Sequence, residues 1–345
     1  MIYYLSERNK EGVDAGNKAR NDVEKILSKK KYRAISAPNP IKKRRRLNKL
    51  FFLLNNRIFL KQLKQVSAGS TVIVQYPFLL QYKNSSDWYD CSFILKKLSK
   101  TQKLVFIIHD IDKLRFPDSH KDMDILKLGN VLISHNENMT KFLRKNGFKN
   151  KKIINLKLFD YLSTPDQIND HSDDDELICF AGNLKKSVFL TKLPLRLRKK
   201  GINLYGTGWE SETEGINYKG TFGSEEISSI IQGKYGLIWD GNSIDTCDGV
   251  NGNYLRYNNP HKLSMYIDAA MPVIIWKDAA EANFVKEHNI GLLIESLNDI
   301  NSVTSNIGDD SYQSMVRNVI TLKKKINQGF FLNESLKEGL KQANE

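Results

Sequence analysis

Short runs of β-branched and other apolar residues alternate with stretches of helical periodicity along both halves of this chain. The runs predicted as buried strands are 2–5, 71–75, 104–109, 130–134, 177–181, 202–205, 235–239, 272–276 and 292–294. Strands that alternate with helices in this way form parallel sheets covered by helices. The sequence therefore predicts an α/β protein with two Rossmann-like halves.

A polar and acidic segment separates the two halves. Residues 163–176 contain few apolar side chains, which is typical of a linker or a surface loop. The chain of 345 residues is long enough for two domains. We expect an N-terminal domain over residues 1–165 and a C-terminal domain over residues 176–311. The helical stretches within 312–345 are expected to pack back on the N-terminal domain.

Several classes of protein are excluded by what the sequence lacks. No apolar run approaches the ~18–20 residues that a membrane-spanning helix needs. The first residues lack the basic start and apolar centre of a signal peptide. The cysteines, Cys91, Cys179 and Cys247, lie far apart, which suits a reducing compartment and argues against a structural zinc site. We therefore expect a cytoplasmic protein.

The net charge of +14 is confined to the first half. Residues 1–170 carry 34 Lys and Arg against 16 Asp and Glu, whereas the remainder carries 19 against 23. Much of the excess lies in residues 42–64, where leucines and isoleucines near helical spacing predict a basic amphipathic helix. One interpretation is a packed helix with a solvated basic face. The other is attachment to an anionic membrane surface, worth ~1 kcal/mol per basic residue.

The strongest local signal for binding chemistry lies at residues 258–276. Asn259 is a natural N-cap, and Pro260 fits the first position of a helix. His261 and Lys262 then occupy the first turn, where a cation opposes the helix dipole unless an anion compensates. Backbone N–H groups and two donor side chains that converge on one point predict a pyrophosphate site. The alternative is an ordinary capped helix whose Lys262 extends into water.

Two further motifs follow predicted strands of the first half. Residues 11–22 form a glycine-containing loop that enters a helix, without the Gly-x-Gly-x-x-Gly spacing of dinucleotide-binding proteins. The strand at 104–109 ends in His109 and Asp110, and Asp112 follows. His109 or Asp110 is a candidate general base. Two alternatives remain: Asp110 and Asp112 chelate a metal, or these polar residues only close a buried strand.

Glycine turns also follow several predicted strands of the second half. Residues 180–187 pass from a strand through a glycine turn to a basic helix start, and residues 204–209 and 218–223 are similar turns that suit a base and a ribose. The strand at 235–239 leads into Asp240, an acid suited to sugar hydroxyls. These turns share one location, the strand ends of one domain, where such folds bind ligands.

An ordered set of segments carries a family resemblance: 15–22, 109–115, 134–136 with Met139, 180–183, 235–241 and 258–276. On these segments the chain resembles GT-B glycosyltransferases, in particular bacterial galactofuranosyl- and glucosyltransferases from surface-polysaccharide and adhesin-glycosylation clusters. The resemblance spans residues 1 to about 330. It implies two Rossmann-like domains that face a cleft. The C-terminal domain would bind the UDP of a sugar donor, and the N-terminal domain the acceptor.

The resemblance also implies roles for individual residues. Lys262, with the helix start at Asn259 and His261, would hold the pyrophosphate. The residues expected around the rest of the donor are Asn183, Lys185, Tyr218, Lys219, Gly220 and Asp240. The first two would line the interdomain cleft, and the next three would border the base. Gly16 and Asn17 would face the transferred sugar and the acceptor.

One departure from the family pattern bears on the mechanism. The better-known retaining GT-B enzymes carry two Glu residues at positions where this chain has Tyr257 and Met265. We therefore expect an inverting transfer, in which Asp110 or His109 deprotonates the acceptor hydroxyl and Lys262 stabilises the departing diphosphate. The resemblance implies no obligatory metal and no other cofactor, because the helix dipole and the cations take the metal's place.

The expected activity is transfer of a hexosyl group from a UDP-sugar to a lipid-linked or protein-linked glycan, with UDP-galactofuranose as the leading donor. One alternative is a UDP-glucose or UDP-galactopyranose transferase that acts on a glycosylated protein. Another is a non-catalytic GT-B relative that stabilises a partner glycosyltransferase. The expected partners include an anionic membrane surface, at the inner face of the cell membrane, through residues 42–64. Nucleic acid is not expected because no recognition motif is present, and homo-oligomerisation is left open.

Overall fold

In the computed structural model of this chain, the described residues are 1–7, 15–37, 50, 53–54, 56–78, 92–116, 118–119, 121–163, 171 and 176–345. The chain divides into two compact units. Unit 1 comprises residues 1–10, 20–156 and 332–345, and unit 2 comprises residues 11–19 and 157–331. Among the described helices, none is long and apolar enough to cross a membrane.

Unit 1 is built on a six-stranded parallel sheet in the order β2-β1-β3-β4-β5-β6. Its strands are β1 (Ile2–Ser6), β2 (Arg33–Ser36), β3 (Thr71–Tyr76), β4 (Lys103–Ile108), β5 (Val131–Ser134) and β6 (Lys152–Asn155). The helices between them are α1 (Ala15–Ser28), α2 (Arg57–Lys64), α3 (Ser92–Leu98), α4 (Asp112–Arg115), α5 (Lys121–Leu126) and α6 (Glu137–Lys145). Every residue of β3 and β5 is buried, which fits the apolar residues that dominate both strands.

Unit 2 repeats this architecture with strand order β12-β11-β10-β7-β8-β9, again all parallel. Its strands are β7 (Ile178–Ala181), β8 (Ile202–Tyr205), β9 (Ile216–Gly220), β10 (Tyr235–Ile238), β11 (Val273–Trp276) and β12 (Gly291–Ile294). Its α-helices are α7 (Leu195–Arg198), α8 (Ile227–Ile230), α9 (Gly249–Tyr254), α10 (His261–Asp268), α11 (Ala282–Glu287), α12 (Ile300–Ser305) and α13 (Asp309–Ile326). The last helix, α14 (Phe330–Asn344), belongs mostly to unit 1.

The predicted α/β class with two parallel sheets is confirmed, and each predicted strand is present within one or two residues of its expected ends. Three observed strands were not predicted: β2, β6 and β9. Residues 218–223 were expected to pass from a strand into a loop, and residues 218–220 form the end of β9, whose three central residues are exposed. An edge strand of this kind has no apolar run to reveal it.

The end of the chain differs from the expectation. Helix α13 belongs to unit 2, where the Tyr312 hydroxyl donates to the Lys234 carbonyl over 2.9 Å. Only residues 332–345 join unit 1, where the Lys152 ammonium donates to the Gln342 carbonyl over 2.6 Å. The units therefore change at residues 156/157 and 331/332, rather than near 165 and 312. Residues 15–19 of α1 also belong to unit 2.

Each sheet reverses its strand order at one point. In unit 1 the reversal lies between β1 and β3, and in unit 2 it lies between β7 and β10. In open parallel sheets the helices leave in opposite directions at such a point, so a crevice opens beyond the carboxyl ends of the two strands. These two crevices are where candidate sites are expected.

Candidate functional site

Unit 2 holds a cavity of about 450 Å³ at the carboxyl ends of β7 and β8, on the β8 side of the crevice. Its lining is contributed by the carboxyl ends of β7 and β8, the turn after β9 and the start of α10. The lining residues are Lys18, Tyr161, Ala181, Gly182, Asn183, Tyr205, Gly206, Thr207, Thr221, Phe222, Ser224, Ile227, Pro260, His261, Lys262 and Met265. We call this space the edge cavity. It is apolar over much of its wall, with a few polar groups at one side, as ligand sites commonly are.

Two glycines allow the loops beside the edge cavity to approach each other. Gly206 has a φ of +131°, and a Cβ there would lie 1.8 Å from the carbonyl oxygen of Gly182. The Gly182 amide donates to the Tyr205 carbonyl over 2.9 Å, so the turns after β7 and β8 are held together. A Cβ on Gly182 would lie 3.1 Å from Cε of Lys262. Glycine at both positions keeps this corner of the cavity open.

Tyr266 of α10 holds the two strands of the crevice in place. Its ring lies on Gly236, where a Cβ would come within 2.3 Å of the ring. Its hydroxyl accepts from the Ala181 amide over 3.0 Å and lies 3.3 Å from the Cys179 carbonyl. Burial raises the pKa of this phenol well above its usual value, so the hydroxyl stays neutral. Tyr266 is therefore structural support for the cavity.

Lys262 brings a cation to the edge cavity. Its ammonium lies 3.3 Å from Oδ2 of Asp240, 3.4 Å from the Trp239 carbonyl and 4.5 Å from the centroid of the Phe180 ring. The side chain is 17 % exposed and so does not extend into water. Asp240 supplies the anion that a cation in the first turn of a helix needs. The predicted pyrophosphate at Lys262 stays a prediction.

The helix begins one residue later than predicted. Pro260, rather than Asn259, is the N-cap of α10, and no side chain caps the helix. The side-chain amide of Asn259 instead donates to the backbone carbonyl of Lys157 over 2.9 Å. The backbone N–H groups of a first turn have no acceptor within the helix. The start of α10, with His261 and Lys262, is thus suited to an anionic ligand.

The other predicted donor residues are placed around the cavity or away from it. Asn183 and His261 line it, and the His261 ring stacks on Phe159 with centroids 5.1 Å apart. Asp240 pairs with the lining residue Lys262. The Tyr218 hydroxyl donates to the carbonyl of the lining residue Gly206 over 2.9 Å. The residues that do not line the cavity are Lys185, Tyr218, Lys219, Gly220, Asp240, Asn259, Gly16 and Asn17.

Lys18 was missed by the sequence analysis, which named its neighbours Gly16 and Asn17. Its side chain is 1 % exposed, lines the edge cavity, and donates to the Leu162 carbonyl over 2.6 Å. The ammonium also lies 3.3 Å from the Glu225 carboxylate and 4.6 Å from the centroid of the Tyr161 ring. The cavity therefore has a second lysine. In the sequence, its position directly after Gly16 and Asn17 is the feature that points to a role for Lys18 in the site.

In unit 1, His109 and Asp110 follow β4 at the carboxyl edge of the sheet. Nε2 of His109 lies 2.7 Å from Oε1 of Gln75, a residue of β3. The Asp110 carboxylate pairs with Arg115 over 2.9 Å. The structure therefore places the two candidate bases side by side, each with its own partner. Their location is as predicted, and their role stays a prediction.

Two side chains near β4, His135 and Asp112, have shifted pKa values. Burial lowers the pKa of His135 to about 3, and its Nε2 donates to the Ile108 carbonyl over 3.1 Å. Burial, and then the neighbouring carboxylates of Asp122 and Asp110, raise the pKa of Asp112. Asp122 accepts from the Tyr76 hydroxyl and from the Lys113 amide. His135 is thus a neutral part of the core.

Metal-binding groups are scarce in the described part of the chain. Within those residues, no cluster of three or more His, Cys, Asp and Glu side chains is arranged to hold a metal ion. Cys179 and Cys247 are buried free thiols, and burial raises the pKa of Cys247. Cys91 lies outside the described residues.

The basic segment 42–64 is described only in part. Residues 42–49, 51–52 and 55 lie outside the described residues. In the described part, Phe59 is buried, but Leu50, Leu54 and Ile58 are 50 %, 46 % and 74 % exposed. The packed-helix interpretation requires these apolar side chains to face the core. Leu50, Leu54 and Ile58 do not.

Family models match most of this chain. The N-terminal domain of the glucosyltransferase 3-like family matches residues 2–158, and the C-terminal domain of the same family matches residues 178–339. The chain is 31 % identical over 348 aligned positions to the beta-1,6-galactofuranosyltransferase WbbI of Escherichia coli (strain K12), covering 98 % of both chains. It is 24 % identical to glucosyltransferase 3 of Streptococcus gordonii, covering 79 % of both.

Solved structures show the same fold. An alpha-glucosyltransferase in complex with UDP-glucose and DNA matches with a TM-score of 0.61 and 14 % identity, covering 100 % of this chain and 99 % of that one. This likeness confirms the GT-B fold that the resemblance implied. On the family models and the full-length match to WbbI, the chain belongs to the glucosyltransferase 3-like family and is a glycosyltransferase.

Proposed function

We propose that this glycosyltransferase moves a hexosyl group from a UDP-sugar to a glycan acceptor in bacterial surface-polysaccharide or glycoconjugate synthesis. The observation that carries the proposal is the edge cavity, where Lys262 and the uncapped start of α10 lie together. A diphosphate placed there gains charge-assisted hydrogen bonds from both. Lys18 adds a second cation to the lining of the same cavity.

UDP-galactofuranose is the leading donor. The relative that matches over its whole length is named a galactofuranosyltransferase. UDP-glucose is the second candidate, because the streptococcal relatives are named glucosyltransferase 3. UDP-galactopyranose is the third. These donors share UDP, so the groups around the sugar, rather than those on the diphosphate, must discriminate among them.

We further propose that the transfer inverts the anomeric centre. The two positions that hold Glu in the better-known retaining enzymes are Tyr257 and Met265 here, and Met265 lines the edge cavity. In an inverting step, a base removes the proton of the acceptor hydroxyl while that oxygen attacks the anomeric carbon. The bond from this carbon to the β-phosphate oxygen breaks, and UDP departs with its charge stabilised by Lys262.

Of the two candidate bases, we favour His109. The Asp110 carboxylate is already engaged in an ion pair with Arg115 at 2.9 Å. The imidazole of His109 has a neutral amide as partner instead. No divalent ion is required in this scheme, because Lys262 and the helix start neutralise the diphosphate. Activity that survives excess chelator would support this part, and activity restored only by added Mg²⁺ or Mn²⁺ would contradict it.

The experiment that tests the function measures release of UDP from UDP-galactofuranose, UDP-glucose and UDP-galactopyranose, each with and without a lipid-linked glycan acceptor. We expect acceptor-dependent release with one of them, UDP-galactofuranose first. NMR of the purified product then reports the anomeric configuration, which an inverting reaction changes. UDP binding without release from any of the three donors would contradict the proposed transfer from these UDP-sugars. The absence of any UDP binding would contradict the proposal altogether.

We also propose that unit 1 contacts an anionic membrane surface, where lipid-linked acceptors reside. Helix α2 exposes Ile58 next to Arg57, Lys61 and Lys64, a combination of apolar and basic side chains that suits the interface of a bilayer. Vesicle flotation tests this. Lys61→Glu with Lys64→Glu should reduce binding to vesicles that contain anionic lipid. The matched pair Lys96→Glu with Lys97→Glu on α3 should not, and equal losses in both pairs would refute the assignment to α2.

A further inference from the structure

Gln75 is a buried polar residue in the middle of unit 1. It lies in β3 next to the carboxyl end, and its side chain is 1 % exposed. Its neighbours along the strand, Val72, Ile73, Val74 and Tyr76, are all buried core residues. A buried amide costs free energy unless its donor and acceptor are both bonded. The partners of Gln75 therefore show why an amide occupies this position.

The amide group of Gln75 has one possible orientation. Its Nε2 donates to the backbone carbonyl of Arg20 over 3.3 Å. A carbonyl oxygen only accepts, so the NH₂ end of the amide must face Arg20. The Arg20 guanidinium is itself held by Glu7 at 2.7 Å and by the Pro77 carbonyl at 2.5 Å, which keeps this part of α1 in place.

This orientation determines the tautomer of His109. With the NH₂ end toward Arg20, the Oε1 of Gln75 faces Nε2 of His109 at 2.7 Å. An amide oxygen only accepts, so the hydrogen of the neutral imidazole must be on Nε2. In that tautomer Nδ1 is the nitrogen that accepts a proton. The His109 backbone amide also donates to the Tyr76 carbonyl over 2.7 Å, which holds the end of β4 against β3.

We propose that Gln75 is a positioning residue for the transfer reaction: it holds the neutral His109 imidazole with its hydrogen on Nε2, so that Nδ1 receives the proton of the acceptor hydroxyl. This inference rests on the proposed function, in which His109 is the base. A carboxylate at position 75 would hold the same tautomer but would stabilise the protonated imidazolium. A neutral amide orients the ring without that penalty at neutral pH.

The test uses ¹⁵N-histidine NMR of the whole chain together with the pH dependence of kcat/KM for UDP release. The chain has six histidines, and His109→Asn identifies the His109 signals by their loss. In the unchanged protein we expect the neutral His109 ring to carry its hydrogen on Nε2. Gln75→Leu should produce a mixture of tautomers and lower kcat/KM by about 10- to 100-fold, the usual cost of losing a supporting hydrogen bond at a reactive group.

Gln75→Glu gives a different signature. It should keep the Nε2 tautomer, raise the pKa of His109 by about 1 to 3 units, and move the acid limb of the pH profile upward by the same amount. A base must be deprotonated to act, so activity at neutral pH falls while activity at high pH recovers. A merely structural Gln75 would lower stability in both variants without moving the limb.

The matched control is Gln102→Leu. The Gln102 amide donates to the Val66 carbonyl over 3.3 Å in the same unit, away from His109, so its loss should leave the tautomer and the pH profile unchanged. A hydrogen on Nδ1 in the unchanged protein, or an acid limb that Gln75→Glu does not move, would overturn the inference. If the tautomer is as expected but no donor releases UDP, the proposed function fails and the structural role of Gln75 stands.

Discussion

The Lys262 ammonium has three neighbours in this structure: the Asp240 carboxylate, the Trp239 carbonyl and the face of the Phe180 ring. All three attract a cation, so the ammonium is held at the cavity wall. A diphosphate that enters brings more negative charge than Asp240 and accepts hydrogen bonds from the first turn of α10 as well. Under the proposed function, the ion pair with Asp240 therefore orients Lys262 before the donor binds.

Lys262→Ala should weaken binding of UDP by about 10- to 100-fold, since a hydrogen bond to a charged group contributes roughly 1.5–3 kcal/mol. Calorimetric titration of UDP measures this directly. Lys200→Ala is the matched control, because Lys200 is an exposed lysine before β8, at the opposite edge of the same sheet. Equal affinity of the Lys262→Ala and unchanged proteins for UDP would refute the site.

His135 gives a second prediction at this scale. Its pKa is about 3 in the folded chain and ~6.5 when unfolded, so the unfolded state binds more protons between these values. The contribution of His135 to stability is complete above pH 6.5 and is lost as the pH falls. The free energy of unfolding should drop by about 2 kcal/mol between pH 7.5 and pH 5 on this account.

Denaturant unfolding at the two pH values checks the prediction. His135→Asn should reduce the drop, since asparagine can still donate to the Ile108 carbonyl but has no proton to gain. His288→Asn, at a histidine whose Nδ1 donates to the Phe284 carbonyl of α11 over 3.0 Å, should keep it. A drop of the same size in all three proteins would show that His135 is not its cause.

At the scale of elements, the edge cavity depends on how closely the turns after β7 and β8 approach. Gly206 is so close to the Gly182 carbonyl that a Cβ would overlap it. The Tyr266 hydroxyl of α10 accepts from the Ala181 amide of β7 and lies 3.4 Å from the Leu237 carbonyl of β10. No single strand contains the site. It forms where the turns after β7, β8 and β9 meet the start of α10.

Gly206→Ala should abolish UDP binding and lower the melting temperature, because its Cβ would overlap the Gly182 carbonyl oxygen at 1.8 Å. Gly147→Ala separates this clash from backbone strain. Gly147 also has a positive φ, +95°, but a Cβ there meets nothing within 4 Å. It should cost only the strain of that conformation, about 1–2 kcal/mol, and leave UDP affinity intact. Similar UDP affinity in both variants would argue against the glycine contact.

The sequence predicted those elements whose signal is local. Strands such as β11 are buried at every residue and so have an apolar sequence. The start of α10 has a proline next to His261 and Lys262. Strand β9 was missed because an exposed edge strand carries polar residues. Lys18 was missed because nothing near it in sequence shows that Leu162, Tyr161 and Glu225 surround its ammonium.

At the scale of the whole molecule, the division of the chain required long-range packing that no motif reports. Helix α13 joins unit 2 through contacts such as Tyr312 with Tyr235, whose rings lie 5.4 Å apart, and the chain returns to unit 1 only after residue 331. The charge excess, by contrast, was visible in the sequence. It lies in the part of the chain that forms most of unit 1, whereas the edge cavity lies in unit 2.

The most direct test of this account is a crystal structure of the chain with UDP bound. We predict that the diphosphate lies in the edge cavity, within hydrogen-bond distance of Nζ of Lys262 and of backbone N–H groups at the start of α10. Unit 2 has a second cavity of about 460 Å³ on its opposite edge, lined in part by Lys200, Lys234 and Tyr235. UDP bound in that cavity, with the edge cavity empty, would contradict the central claim.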